Sequence, residues 1–151
     1  MYPSIRCCGV YTSELGVLFQ RKIGDEVWAL PGGKPEGGET LLACLEREFN
    51  EEFALHIKVG RCIAVIENTF SLDGQQRSEV GFYFQVAGPS EQGTDLVVES
   101  GLEYAWIKTG DMQSASIVPA VLKTILREGN NNIPQFHFLE RFTDRESSSR
   151  T

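Results

Sequence analysis

Apolar residues along this chain cluster in short runs whose spacing changes from strand-like to helix-like and back. Residues 5–11 (IRCCGVY) and 17–20 (VLFQ) read as strands joined by the polar connection 12–16, a hairpin signal. A loop follows over 21–26, then the apolar piece 27–30 (VWAL), which Pro31, Gly32 and Gly33 bring to a stop. Over 40–53 the period lengthens: Leu41, Leu42, Leu45, Phe49 and Phe53 recur at helical spacing, with Thr40 placed to cap the helix or sit in its first turn. The pattern returns to β over 58–68 and, most strongly, over 80–87 (VGFYFQVA). The turn residues 71–75 predict that 63–70 and 80–87 pair antiparallel.

The polar connection 88–101 is long for a compact domain, a length associated with function or mobility. A strand over 103–107 (EYAWI) and a second amphipathic helix over 115–127 come next, the helix ended by residues 129–132 (GNNN). Residues 136–139 read as a final edge strand, and 143–151 as a disordered tail on a single domain spanning 1–142. Strands, helix, strands, helix is the order of an α/β fold, a three-layer α/β/α sandwich around a mixed sheet.

The first helix carries an electrostatic problem. At roughly 100° per residue, Glu48, Glu51 and Glu52 fall within one arc of about 100°, beside the arc of leucines and phenylalanines. Like charges at these spacings cost roughly 0.2–0.5 kcal/mol per pair even when solvated. Near a buried face the cost grows, unless hard cations such as Mg²⁺ or Mn²⁺ are bound through oxygen. The glycines before the helix, at 32, 33, 37 and 38, let backbone approach whatever lies nearby. Glu39 stands where the helix dipole favours a carboxylate or where it can hold the loop by hydrogen bonds, and Arg47 can pair with a neighbouring glutamate and orient it. The bland alternative is a solvated acidic face with Arg47 as an ordinary surface partner.

Charge and cysteines narrow the setting. The chain has 151 residues, a net charge of −7 and no recurrent basic patch, which argues against nucleic acid or an anionic membrane surface as partner. The cysteines Cys7, Cys8, Cys44 and Cys62 form no C-x-x-C pair, and they read as buried thiols of a cytoplasmic protein. Adjacent Cys7 and Cys8 point to opposite faces if they lie on a strand. No apolar run is long enough to span a membrane, and there is no secretory h-region at the N-terminus.

From Gly33 the residues resemble the Nudix box, G-x5-E-x7-R-E-U-x-E-E-x-G-U, through Gly33, Glu39, Arg47, Glu48, Phe49, Glu51, Glu52 and Leu55. Phe49 stands where an aliphatic is usual, and Ala54 where the pattern has glycine. If that position needs φ > 0, alanine there costs about 1 kcal/mol. The entry WALPGG at 28–33 and the late strand 103–107 are similar to the family as well. The resemblance implies metal-dependent hydrolysis of a nucleoside diphosphate linked to another moiety, with Mg²⁺ or Mn²⁺ as cofactor. By resemblance Glu48, Glu51 and Glu52 are metal ligands, one of them or a loop carboxylate activates water, Arg47 orients Glu48, and the Gly33 backbone completes the metal shell.

Outside the box, Glu79, Glu99 and Glu103 are candidates for a further carboxylate, with Glu67 behind them. Gly33, Glu39, Glu79 and Glu99 are the candidate contacts to substrate. Trp28, Phe70, Phe82 and Phe84 can stack a base, although aromatics at strand spacing are more often core. His56 and His137 have no metal-like spacing. No proline occurs between Pro35 and Pro89, so the downstream proline of ADP-ribose pyrophosphatases is missing. Nucleoside triphosphates, dinucleoside polyphosphates and nucleotide sugars stay open as substrates. The rival class is a non-catalytic nucleotide sensor on the same fold; such proteins usually lose box glutamates, and none is lost here. A homodimer built through the 88–101 loop and the last strand also stays open.

Overall fold

The computed structural model describes residues 3–89, 96–127 and the backbone of 135–141. Among the described residues seven strands and two α-helices run in the order β1 (Ser4–Ser13), β2 (Gly16–Lys22), β3 (Gly32–Gly33), α1 (Leu41–Phe53), β4 (Lys58–Leu72), β5 (Gln75–Ala87), β6 (Leu102–Ile107), α2 (Leu122–Arg127) and β7 (Gln135–Arg141). The sheet runs β6-β2-β1-β5-β4-β7, and the two-residue β3 pairs with β1 off that path. It is mixed: β1/β5 and β4/β7 are parallel, while β1/β2, β2/β6 and β4/β5 are antiparallel.

The alternation of β1 divides the core in two. Cys7 and Tyr11 face α1 and pack with Leu18, Cys44, Leu45, Phe49, Phe53 and Phe84. Cys8 and Val10 face the other way, under Met112, Ile117, Leu122 and Ile125. The two cysteines thus take opposite faces, and the three layers expected from the sequence are present. Full burial of a side chain such as Phe49 contributes roughly 1.5–3 kcal/mol, so this double-sided packing carries much of the fold.

Two elements differ from the sequence reading. The apolar piece 27–30 forms only isolated bridges, Gln20 with Ala29 and Trp28 with Ile117. The helix expected over 115–127 is reduced to Leu122–Arg127, preceded by a 3₁₀ helix at Thr109–Ser114. Pro119 explains the loss, because its ring disfavours helical backbone at the preceding residue. Val118 instead donates its N–H to Trp28 O at 2.9 Å. The expected stop at 129–132, the tail 143–151 and part of the 88–101 connection lie outside the described residues, whereas the last edge strand is present as β7.

Between β1 and β2 the sheet opens. Their pairing is confined to Thr12 with Val17 and Ser13 with Gly16, and β3 takes the place beside Cys7 and Cys8. Helix α1 lies over this opening, which brings Gly33 and the box glutamates together.

Candidate active site

Helix α1 is set by its two ends. Thr40 Oγ1 accepts from Ala43 N at 3.1 Å, satisfying one first-turn donor. At the other end Ala54 takes the left-handed conformation, φ 51° and ψ 35°, and its N–H donates to Asn50 O. Leu55 N–H reaches Phe49 O at 3.3 Å, and Glu99 N–H donates to Glu52 O at 2.7 Å. Three carbonyls near this end, those of Phe49, Asn50 and Glu52, are therefore satisfied, the last from the loop before β6.

The buried stripe of α1 is Cys44, Leu45, Phe49, Glu52 and Phe53. Leu42, expected in the stripe, is exposed, and Cys44 takes its place. Phe49 fits because Gly9 lies opposite: a Cβ there would come 2.6 Å from the ring. An aromatic in an aliphatic position of the box is thus matched by a missing side chain on β1.

Arg47 is the organiser of the loop and the acids. Its Nε and Nη2 fork onto Glu39 at 2.7 and 2.9 Å, and Nη2 also donates to Lys34 O at 3.3 Å. Its Nη1 donates to Glu48 Oε1 at 2.9 Å and Glu51 Oε2 at 3.2 Å. The bond to Arg47 holds the Glu39 carboxyl down at about 2. Glu39 Oε1 also accepts from Glu36 N–H at 3.1 Å. Of the two roles the sequence left open for Glu39, the structure shows it holding the loop, turned toward Arg47.

The box glutamates Glu48, Glu51 and Glu52 occupy a gradient of environments. The Glu51 side chain is 52% exposed, Glu48 is partly covered, and Glu52 is 7% exposed overall. Glu48 lies against Gly33, where an added Cβ would overlap its carboxylate. Glu52 turns inward. Burial raises its pKa to about 9, and the neighbouring Glu48 adds to the rise, while a hydrogen bond from Gln20 opposes it. Its Oε2 has no hydrogen-bond partner. Among the described residues no group of three or more His, Cys, Asp or Glu stands preformed around one point. The donor set nevertheless fits a hard cation: carboxylate oxygens on Glu48 and Glu52 in mutual contact, one orphaned, with Glu51 a turn away.

The outlying candidates separate. Glu99 is tied by its backbone to the end of α1, with an exposed side chain. Glu79 is buried within the sheet, opposite Ser4 and Asn68, on the α2 side. Glu103 is an ion-pair partner of Arg21, whose guanidinium lies 3.9 Å over the Trp28 ring. Phe84 is core, His56 is exposed, and the His137 side chain lies outside the described residues. Sequence reasoning missed Arg6, the largest fully buried side chain among the described residues, and the buried Gln20 and Asn68. Arg6 is isolated in the sequence amid an apolar strand, and that placement was the available signal.

The model of the NUDIX domain matches residues 2–127. The chain belongs to the NUDIX family. Solved structures agree on the fold. A MutT protein from Bacillus halodurans superposes with a TM-score of 0.72 at 17% identity, over 93% of this chain and 90% of that one. The dihydroneopterin triphosphate pyrophosphohydrolase of E. coli gives 0.67 at 16%, over 88% and 100%. An ADP-ribose pyrophosphatase from Streptococcus suis gives 0.63 at 14%, over 91% and 100%. No curated protein is similar enough in sequence to be matched. As a NUDIX chain, the protein has every charged position of the box filled; the box ends on Ala54 in place of glycine, in the left-handed conformation that glycine favours. Among the described residues no helix is long and apolar enough to cross a membrane.

Proposed function

We propose that this NUDIX chain is a divalent-metal-dependent hydrolase that cleaves a pyrophosphate bond in a nucleoside diphosphate linked to another moiety. The observation that carries the reading is the contact between Glu48 and Glu52 on a helix that keeps every acidic position of the box. Two carboxylates so close, one of them buried, ionise together only when positive charge joins them. Arg47 does not supply it to Glu52, because its donors are committed to Glu39, Glu48, Glu51 and the Lys34 carbonyl, and the attraction of Arg6 leaves the Glu52 carboxyl raised all the same.

Glu48, Glu51 and Glu52, with the Gly33 backbone against Glu48, would hold Mg²⁺ or Mn²⁺. When bound, such a cation neutralises charge on the phosphoryl oxygens and assists attack by water. Arg47 fixes Glu48 and Glu51 while its fork on Glu39 ties the glycine loop to the helix. One of the carboxylates takes the proton as water adds to phosphorus and the bridging P–O bond breaks. Glu99, held at the end of α1 by its own N–H, is the loop carboxylate best placed to join them. The substrate is a small nucleotide, and the protein works in the cytoplasm. Retention of all box glutamates favours an enzyme over a nucleotide sensor.

Purified protein assayed on a nucleotide panel with Mg²⁺ or Mn²⁺, reading phosphate and pyrophosphate release, tests the proposal. Glu51→Gln and Glu52→Gln are expected to lower turnover by roughly 100-fold or more with the fold intact. Unchanged turnover in both variants refutes the mechanism, and no turnover by the parent protein on any member puts the sensor first.

A further inference from the structure

Strand β2 sends alternate side chains into the two layers. Val17 and Phe19 join the cluster beneath α2, and Leu18 joins the cluster beneath α1. Gln20 is next on the α1 face. The register agrees: Leu18 stands opposite Trp106 and Gln20 opposite Tyr104, and both of these β6 aromatics pack into the α1 cluster. An apolar side chain would continue that row. The residue in place is an amide, and it is only 7% exposed.

The backbone gives this amide a fixed root. Gln20 N–H donates to Ala29 O at 2.8 Å, and Gln20 O accepts from Ala29 N–H at 2.9 Å, while β6 holds the other edge of the strand. The side chain is hydrogen-bonded to Glu52, the buried glutamate of the box. Because Gln20 Oε1 has no hydrogen-bond partner, the donor in that bond is Nε2. Glu52 Oε2 is unpartnered as well. The carboxylate is thus tied by one oxygen and leaves the other free.

Two considerations separate this amide from ordinary core filling. A buried acceptor left unpaired costs stability, so an apolar residue of equal length would serve packing better. The box arginine, moreover, orders only part of the acid set: Arg47 donates to Glu39, Glu48 and Glu51. Carboxylates that bind metal ordinarily depend on hydrogen bonds from outside the ligand shell to set their orientation.

We propose that Gln20 is a positioning residue for the cation-binding acids, donating its amide N–H to Glu52 so that the free Oε2 is presented to the divalent cation. It does for Glu52 what Arg47 does for Glu48 and Glu51, from a strand outside the box. The inference rests on the metal-dependent reading and adds a residue that determines how tightly the cation is held.

The test measures Mn²⁺ binding to the full chain without nucleotide, reading free Mn²⁺ by electron paramagnetic resonance. Gln20→Met keeps the length and loses the donor; it should weaken Mn²⁺ binding by about 10- to 100-fold, with Tm in metal-free buffer little changed. Glu52→Gln should also weaken binding, and Gln20→Met added to it should weaken binding no further, because the amide acts through Glu52. An unchanged Kd in Gln20→Met overturns the proposal. Losses that multiply in the double variant overturn it too, since the amide would then act independently of Glu52. A parent that binds no Mn²⁺ refutes the metal-dependent reading and the proposal together, whereas binding that ignores Gln20 refutes the proposal alone. Should Gln20→Met fail to fold, the parent decides: the side-chain amide resonances of Gln20 should shift as Mg²⁺ is added, and resonances that stay in place overturn the assignment.

Discussion

Replacing Ala54 with glycine should make this protein more stable. Ala54 closes α1 at φ 51° and ψ 35°, a left-handed conformation that costs an L-residue about 1–2 kcal/mol. Glycine adopts it freely, but it also has more freedom to lose on folding, which returns about 0.4–1 kcal/mol to the unfolded chain. The methyl group is exposed, so its removal sacrifices no packing. The net gain is about 0.5–1 kcal/mol, or a rise in Tm of roughly 1–4 °C for a chain of this size. Differential scanning calorimetry in metal-free buffer measures it. Ala43→Gly is the control: it lies exposed inside the same helix at ordinary helical geometry, where glycine costs about 1 kcal/mol. Opposite signs for the two substitutions support the cap argument. A fall in Tm for Ala54→Gly matching that of Ala43→Gly refutes it, and shows that the terminal residue relaxes without strain.

Gly33→Ala places a Cβ on the Glu48 carboxylate and should displace it by about an ångström, lowering kcat by about 100-fold with little change in Tm; kinetics beside a melting curve checks this, and near-normal kcat means Glu48 moves aside freely. In metal-free buffer the raised pKa of Glu52 sets a pH trend. The folded protein holds this proton more tightly than the unfolded chain, so the associated stability is complete below pH 4.5 and declines as pH climbs toward about 9. Over that window the slope should approach about 1 kcal/mol per pH unit, disappear in Glu52→Gln, and be offset by added Mg²⁺; a flat urea-midpoint profile for the parent would falsify it. Glu39 has the opposite sign: its contribution is present above pH 4.5 and is lost as pH falls toward about 2, so Glu39→Gln should flatten the acid limb of the same profile.

Much of the fold was legible because α1, β4 and β5 have strong periods. The capping role of Thr40, the antiparallel β4/β5 pair and the opposed faces of Cys7 and Cys8 all follow from local spacing. The second helix was overread because its apolar period continues through Ile117 and Val118, where Pro119 and the bridge to Trp28 impose extended backbone. The site was legible as a set of residue types and much less as an environment. Helical spacing puts Glu48, Glu51 and Glu52 on one arc, but only the opening between β1 and β2 makes Glu52 an interior residue beside Gln20. Arg6 and Asn68 escaped notice for a related reason, and Glu79 was legible only as a lone candidate carboxylate. They come from three strands, β1 far in sequence from the β4/β5 hairpin, and only the register of β1, β5 and β4 places them together.

That register also bears on how the chain is made. β1 is synthesised before its long parallel neighbour β5, which ends at Ala87. Until then β1 has only its short contacts with β2 and β3, and one edge offers unpaired backbone groups. β4 and β5, contiguous and antiparallel, can zip together as a local unit before β1 docks onto them. A chain cut short before β5 would expose that edge permanently and leave the Arg6 charge without Glu79 beside it, conditions that favour aggregation. Vectorial synthesis thus makes the parallel β1/β5 seam the late step of assembly, and the place where crowding on the ribosome is most costly.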